Sequence, residues 1–114
     1  MLISDYRFGS ITIDNTAYSA DVIITPERII DSWWRKQGHS LHIDDLANIV
    51  AAKPDVLVIG TGYYGRMQVP EDTKRFLEHK GIEIRQHETA EAVRVFGELQ
   101  QRYARIVAAL HLTC

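Results

Sequence analysis

One stretch of the sequence, residues 56–70, constrains the fold more than any other. It begins with four consecutive branched apolar residues, Val56 to Ile59, and continues through glycines at positions 60, 62 and 65. A strand without a polar face has to be covered on both sides, so this stretch predicts the central strand of a sheet that lies between two other layers. The glycines predict a sharp turn immediately after that strand.

Length and charge set broad limits on the kind of protein. A chain of 114 residues with 46% apolar and 25% charged residues fits one globular domain, which we expect to span residues 1–114. The formal net charge is -2. Neither half of the chain carries a large basic surplus, so the sequence offers no electrostatic basis for binding nucleic acid.

The cysteine content and the hydrophobic pattern predict where in the cell the protein is located. Its one cysteine, Cys114, has no second cysteine with which to form an intrachain disulfide. We find no secretion signal at the first residues and no apolar run of the roughly 20 residues that span a bilayer. We therefore expect a cytoplasmic protein without membrane insertion.

The hydrophobic pattern predicts β-structure first and alternating helices and strands later, which is typical of an α/β domain. The N-terminal residues favour antiparallel strands, since β-formers alternate around an Asp14-Asn15 turn. Pro70 and the carboxylates that follow it predict a helix that starts well after the glycines. The predicted strands cover residues 6–25, 29–35, 56–59, 82–86 and 106–114, and the predicted helices cover 44–53, 70–80 and 89–103.

Gly97 is an unusual residue within the last predicted helix. Glycine inside a helix costs about 1 kcal/mol relative to alanine. Its presence predicts that a neighbouring element approaches the helix closely at this point.

The glycine turn is the first candidate site. Gly60-Thr-Gly-Tyr-Tyr-Gly65 matches the dinucleotide pattern Gly-x-Gly-x-x-Gly. In that fold the helix starts within the glycines, whereas Pro70 places the start here some residues later, which favours a tight structural turn. A small-anion site remains an alternative, and its candidate ligand-binding residues are Gly60, Thr61, Gly62, Arg66 and His111.

Other chemistry-bearing residues do not form a recognisable set. His39, His42, Asp44 and Asp45 have a composition that suits a metal, but Gly38 places His39 in a loop, so we expect a polar loop and no metal site. No serine or cysteine nucleophile lies in a recognisable elbow. The sequence therefore predicts no catalytic residues and no cofactor.

The adjacent Trp33, Trp34 and Arg35 are candidates for binding a partner protein. In an extended segment the two indoles face opposite ways, so one fills the core and the other covers a second layer or lies exposed. An exposed Trp beside an Arg has the composition of an interface hot spot. The alternative is that both rings are buried between layers.

Three separated motifs carry a resemblance to a known family. They are Ser32-Trp-Trp-Arg35, Leu57-Val-Ile-Gly-Thr-Gly62 and Ala108-Ala-Leu-His-Leu-Thr-Cys114. Together they resemble the uncharacterised Mth-like domain family, which includes mitochondrial complex I assembly factor 3 and the adipogenesis-associated Mth-like domain-containing protein. The resemblance implies a three-layer α/β domain with a central, mostly parallel mixed sheet, a last strand antiparallel to its neighbours, and an extra N-terminal antiparallel β layer.

Two functional hypotheses remain open from the sequence. The first is a non-enzymatic module that binds a protein partner or acts as an assembly factor, as the resemblance implies for some family members. The second is a small-ligand or enzymatic site at the Gly60-Thr61-Gly62 turn.

Overall fold

The computed structural model describes all residues, 1–114, as eight strands and three α-helices. The N-terminal half holds most of the strands, and the helices alternate with the later ones. None of the helices has the length and apolar character that crossing a bilayer requires. The strands are β1 Ile3–Arg7, β2 Ser10–Ile13, β3 Thr16–Tyr18, β4 Val22–Ile24, β5 Ile29–Ile30, β6 Val56–Thr61, β7 Glu83–His87 and β8 Ile106–His111; the helices are α1 Ala47–Ala51, α2 Glu71–His79 and α3 Thr89–Leu99, with a 3₁₀ turn at Ile43–Asp45.

The strands form two sheets. A five-stranded mixed sheet has the order β5-β4-β8-β6-β7, and a three-stranded antiparallel sheet has the order β1-β2-β3. The predicted α/β class, with helices against a central mixed sheet and an extra N-terminal β layer, is thereby confirmed.

The last strand, β8, departs in part from its expected direction. It is antiparallel to β4, as expected, but it runs parallel to β6, with Val58 paired to Ala108. The reason is the connection through α3, which returns the chain from the end of β7 to the start of β8. Such a crossover joins strands that run in the same direction.

The central strand β6 is buried on both faces, as its unbroken apolar sequence predicts. Val56 and Val58 belong to a core that also includes α3 and the N-terminal sheet. Leu57 and Ile59 belong to a second core on the opposite face, which α1 and α2 help to cover. Alternate residues of one strand thus supply both cores.

The turn after β6 is shaped by packing, as expected. The helix α2 begins at Glu71, well past the last glycine of the pattern. Gly62 has a φ of 111°, and a Cβ added there would lie 2.7 Å from the carbonyl carbon of Cys114. Glycine is needed here because both the backbone conformation and the neighbouring chain exclude a side chain.

The predicted strand at 29–35 is too long. Only Ile29–Ile30 form β5, because Ser32 adopts a left-handed conformation with φ 55° and ends the ladder. The chain then turns back, and the Trp33 N–H donates to the Asp21 carbonyl at 2.8 Å.

The predicted helix at 44–53 is divided into two short pieces, the 3₁₀ turn and α1. Asp45 explains the division, because its carboxylate accepts hydrogen bonds from the backbone N–H groups of Lys36 and His42, at 3.1 and 2.9 Å. These bonds hold the 3₁₀ turn against the preceding loop. The helix α1 begins separately after it, at Ala47.

Gly97 does not meet the close neighbour that its position predicts. A Cβ added at this residue would have no atom within 4 Å, and the residue faces solvent. The expectation of a close approach is therefore wrong.

Candidate functional site

The two adjacent tryptophans face opposite ways, and only one is available to a partner. Trp33 is 7% exposed and belongs to the second core, whereas Trp34 is 77% exposed. The indole N–H of Trp33 donates to the Asp45 carbonyl at 3.4 Å. The sequence alternative in which both rings are buried is therefore wrong.

Arg35 is buried, although the sequence places it beside an exposed Trp. Its side chain is 4% exposed, and Nη2 lies 2.8 Å from Oδ2 of Asp21. Nη2 also donates to the Gly38 carbonyl at 3.0 Å, and the guanidinium lies 4.8 Å from the ring centroid of Trp33. Of the three residues predicted to bind a partner, only Trp34 lies on the surface.

His111 completes a buried polar cluster, which we define as Asp21, Arg35 and His111. Nδ1 of His111 lies 2.7 Å from Oδ2 of Asp21 and 3.0 Å from Nη2 of Arg35. A carboxylate only accepts and a guanidinium only donates. Nδ1 can therefore donate to Asp21 only when it carries a proton and accept from Arg35 only when it does not, so it makes one of these two hydrogen bonds at a time.

Asp21 keeps its charge within this cluster. Burial is the largest single influence on its carboxyl group and opposes ionisation. Hydrogen bonds from His111 and from the Leu112 N–H, together with the charges of His111 and Arg35, outweigh burial and lower the pKa of Asp21. Asp21 is thus the anion that balances the guanidinium.

Three atoms of the buried cluster have no hydrogen-bond partner within the protein. They are Nε and Nη1 of Arg35 and Nε2 of His111. The ring of His39, on the exposed loop between β5 and the 3₁₀ turn, lies against His111 with 6.2 Å between the ring centroids. The cluster therefore keeps free hydrogen-bonding capacity beneath this loop.

Thr89 links the glycine turn to the end of β8. Its hydroxyl donates to the His111 carbonyl at 2.6 Å and accepts from the Gly62 N–H at 2.8 Å. The Thr89 N–H in turn donates to the Gly62 carbonyl at 3.0 Å. Thr89 is the first residue of α3, whose N-cap is Glu88.

Further groups of the glycine turn also have partners within the protein. The Thr61 hydroxyl donates to the His87 carbonyl at 3.1 Å, which closes the gap between the ends of β6 and β7. The Tyr63 N–H donates to the Thr113 carbonyl at 3.2 Å. An anion at this turn would compete with these acceptors, so the turn is not a preformed cradle of free N–H groups.

The five predicted ligand-binding residues are only partly brought together. Gly60 pairs with Leu110 and Thr61 pairs with His111 across β6 and β8. These residues and Gly62 therefore lie together at the C-terminal ends of these two strands. Arg66 is exposed instead, and its guanidinium lies 5.7 Å from the ring centroid of Tyr64. Ligand binding by these residues stays a prediction.

An aromatic surface, defined as Phe8, Tyr63 and Tyr64 with Arg66, was missed by the sequence reasoning. The three rings are 53%, 46% and 62% exposed. The centroid of Tyr63 lies 5.0 Å from that of Tyr64 and 5.8 Å from that of Phe8. Two adjacent tyrosines inside a glycine-rich turn are a signal that would have found it, since such a turn has no interior in which to bury both.

Histidine, cysteine and carboxylate side chains are dispersed with respect to metal binding. Three or more of them nowhere come together in a group that could hold a metal ion. His39 lies beside His111, and Asp45 is engaged with backbone N–H groups. Two of the four residues with a metal-like composition, His39 and Asp45, thus have contacts of another kind.

The fold and these surfaces define a small α/β domain with exposed aromatic residues and a buried polar cluster. The chain belongs to the family described as a protein of unknown function, DUF498/DUF598, whose model matches residues 3–111. The resemblance seen in the three sequence motifs is confirmed.

Solved structures share the whole fold. A conserved hypothetical protein from Pyrococcus horikoshii is 29% identical, with a TM-score of 0.81 and coverage of 100% of both chains. A protein from Bordetella parapertussis is 25% identical, with a TM-score of 0.81 and coverage of 96% of this chain and 93% of that one. A Mth938-like domain from Bordetella pertussis is 20% identical, with a TM-score of 0.71 and coverage of 96% and 84%. This last likeness shows the fold alone.

Proposed function

We propose that this protein is a non-enzymatic protein-binding module whose partner docks on the aromatic surface. The observation that carries the proposal is the exposure of three contacting rings, Phe8, Tyr63 and Tyr64, in a chain of this size. Aromatic residues and arginine dominate the binding energy of protein interfaces. An exposed cluster of aromatic residues is typical of a surface that binds another protein.

The aromatic surface is held ready for binding by the segments that carry it. Phe8 lies in the turn between β1 and β2, where the Gly9 N–H donates to the Leu112 carbonyl at 3.0 Å. Tyr63 lies in the glycine turn, which is fastened to the neighbouring Thr113. Rings that are positioned in the free protein lose little entropy on binding, which favours affinity.

Partner capture tests this proposal. The immobilised domain is incubated with extract of its cells of origin, and proteins retained by the wild type are compared with those retained by a Phe8→Ala/Tyr64→Ala double variant. We expect retention of the specific partner to fall at least tenfold, since each lost hot-spot contact weakens binding by about 1–2 kcal/mol.

Leu2→Ala is the matched control for capture, because Leu2 is 70% exposed but does not belong to the aromatic surface. Circular dichroism has to show that all variants are folded. Equal retention by the double variant and the wild type would remove the aromatic surface from the proposal.

A second candidate function, a small-ligand site at the Gly60-Thr61-Gly62 turn, has separate support. The buried polar cluster lies at the same C-terminal ends of β6 and β8, and it leaves Nε2 of His111 and two nitrogens of Arg35 without hydrogen-bond partners. Binding there requires movement of the loop that carries His39. Thermal-shift measurements with phosphate, nucleotides and organic acids test this function, and a panel without any stabilising compound would leave it unsupported.

With the protein-binding function we also propose the assembly role that the family resemblance implies and a cytoplasmic location. The identity of a partner recovered through the aromatic surface, and the place of that partner in the cell, would test both. If that partner is a subunit of a larger complex, the assembly role gains support.

A further inference from the structure

Trp34 forms one wall of a groove that is separate from the residues of the aromatic surface. The groove has a volume of about 260 Å³. We call it the Trp34 groove and define it by its lining residues Ile30, Ser32, Trp33, Trp34, Lys36, Asp44, Asp45, Ala47 and Asn48. It combines a highly exposed indole with two carboxylates and one ammonium group.

The position of Trp34 is set by its two neighbours. Trp33 is packed into the second core, and Arg35 is held in the buried polar cluster by Asp21. The backbone on either side of Trp34 is thereby anchored, although the indole itself projects into solvent. A large ring presented by a fixed backbone is preorganised for contact.

Charge around the groove favours a cationic occupant. Lys36 and Asp44 form an ion pair at 2.6 Å, and the hydrogen bond from Lys36 lowers the pKa of Asp44. Asp45 accepts only backbone hydrogen bonds and has no cation within ion-pair distance. Asp31 does not line the groove, but its exposed carboxylate accepts from the N–H of the lining residue Ser32 at 2.7 Å and makes no ion pair, so it adds negative charge beside the groove.

We propose that the Trp34 groove binds an arginine side chain of a partner protein. The guanidinium stacks on the Trp34 indole, and Asp45 and Asp31 provide the opposite charge. Tryptophan is the aromatic residue that attracts cations most strongly, and arginine supplies a flat group that stacks on it. The protein already contains this arrangement internally, since the guanidinium of Arg35 lies 4.8 Å from the ring centroid of Trp33.

A titration followed by NMR tests the proposal with a defined probe. The probe is the blocked tripeptide acetyl-Gly-Arg-Gly-amide, and the matched probe replaces arginine with citrulline, which has a similar shape but no charge. We expect the arginine peptide to shift the Trp34 indole N–H signal and the amide signals of the groove, and to bind at least fivefold more tightly than the citrulline peptide. High salt should weaken the arginine complex, because part of the attraction is between exposed charges.

Variants separate this inference from the proposed function. Trp34→Ala should abolish the shifts without unfolding the domain, since Trp34 is 77% exposed and belongs to neither core. The Phe8→Ala/Tyr64→Ala variant should bind the arginine peptide as the wild type does. Equal binding of both peptides, stronger binding of acetyl-Gly-Glu-Gly-amide, or shifts that persist in Trp34→Ala would overturn the inference and leave the aromatic surface unaffected.

Discussion

The guanidinium of Arg35 lies among groups from three separate parts of the chain. Asp21 precedes β4, His111 ends β8, and Arg35 itself follows the short strand β5. Asp21 and His111 are both distant from Arg35 in the sequence, so the local pattern gives no sign that this arginine is buried. Trp34 is different, because alternation along an extended segment predicts that the two adjacent rings face opposite ways, although it does not decide whether the second ring is exposed or covered.

Arg35→Ala should destabilise the domain strongly. Removing the cation leaves the charge of Asp21, whose side chain is 15% exposed, without the guanidinium that balances it. Breaking a buried ion pair in this way costs about 3–5 kcal/mol. Urea unfolding followed by circular dichroism measures the change in the free energy of unfolding.

Arg7→Ala provides the comparison for Arg35→Ala. Arg7 pairs with Asp5 at 3.1 Å, but both side chains are exposed, so its loss should change the unfolding free energy by less than about 1 kcal/mol. Similar losses for the two variants would show that the Asp21–Arg35 pair does not stabilise the fold.

At the scale of elements, the prediction of the sheet succeeded where the signal was strong. The central strand and the helices on either side of β7 follow from continuous apolar residues, proline and glycine boundaries. The segment 29–35 failed, since its β-forming composition does not reveal the left-handed Ser32 that ends β5. The hydrogen bonds of the glycine turn could not be predicted from the sequence for a similar reason, because the groups that occupy its N–H donors come from distant residues.

Gly97→Ala should stabilise α3. The residue is helical and solvent-exposed, and an added Cβ would meet no atom within 4 Å. Alanine removes the entropic cost of glycine in a helix, so we expect a gain of about 0.5–1 kcal/mol.

The thermal midpoint of unfolding checks the Gly97 prediction. Gly62→Ala is the opposite control, because that residue needs its positive φ and has no room for a side chain. A Gly97→Ala variant that is less stable than the wild type would mean that α3 has a neighbour in solution that the structure does not show.

At the scale of the whole molecule, Tyr6 joins the N-terminal sheet to the rest of the fold. Its hydroxyl donates to the Leu112 carbonyl at 2.9 Å, next to the bond from the Gly9 N–H. Burial, more than the nearby charges, raises the pKa of Tyr6 to about 12. The folded protein therefore favours the neutral phenol over a wider pH range than the unfolded chain does.

Tyr6→Phe should make the domain less sensitive to alkali. In the wild type the pKa is higher in the folded state than the ordinary value of about 10, so stability is lost as the pH rises from about 10 to about 12. The variant lacks this titration, and its stability should fall less over the same range. Near neutral pH it should be weaker by only about 1 kcal/mol, because Leu112 keeps its bond from Gly9.

Unfolding midpoints measured from neutral to alkaline pH test the Tyr6 prediction. Tyr18→Phe serves as the matched control, since it removes a tyrosine from the same sheet. Parallel alkaline losses in wild type and Tyr6→Phe would assign the titration to another group.

The turn that carries Phe8 and the turn that carries Tyr63 are both fastened to the same short segment, Leu112 and Thr113. A partner that grips both turns would also clamp the N-terminal sheet onto the domain, because binding favours whichever form holds its contact residues together. Hydrogen–deuterium exchange in β1 to β3 should then slow when the partner is present. The partner would bind only molecules in which the N-terminal sheet is packed on the rest of the domain. Binding would therefore distinguish fully folded molecules from those in which this sheet is detached.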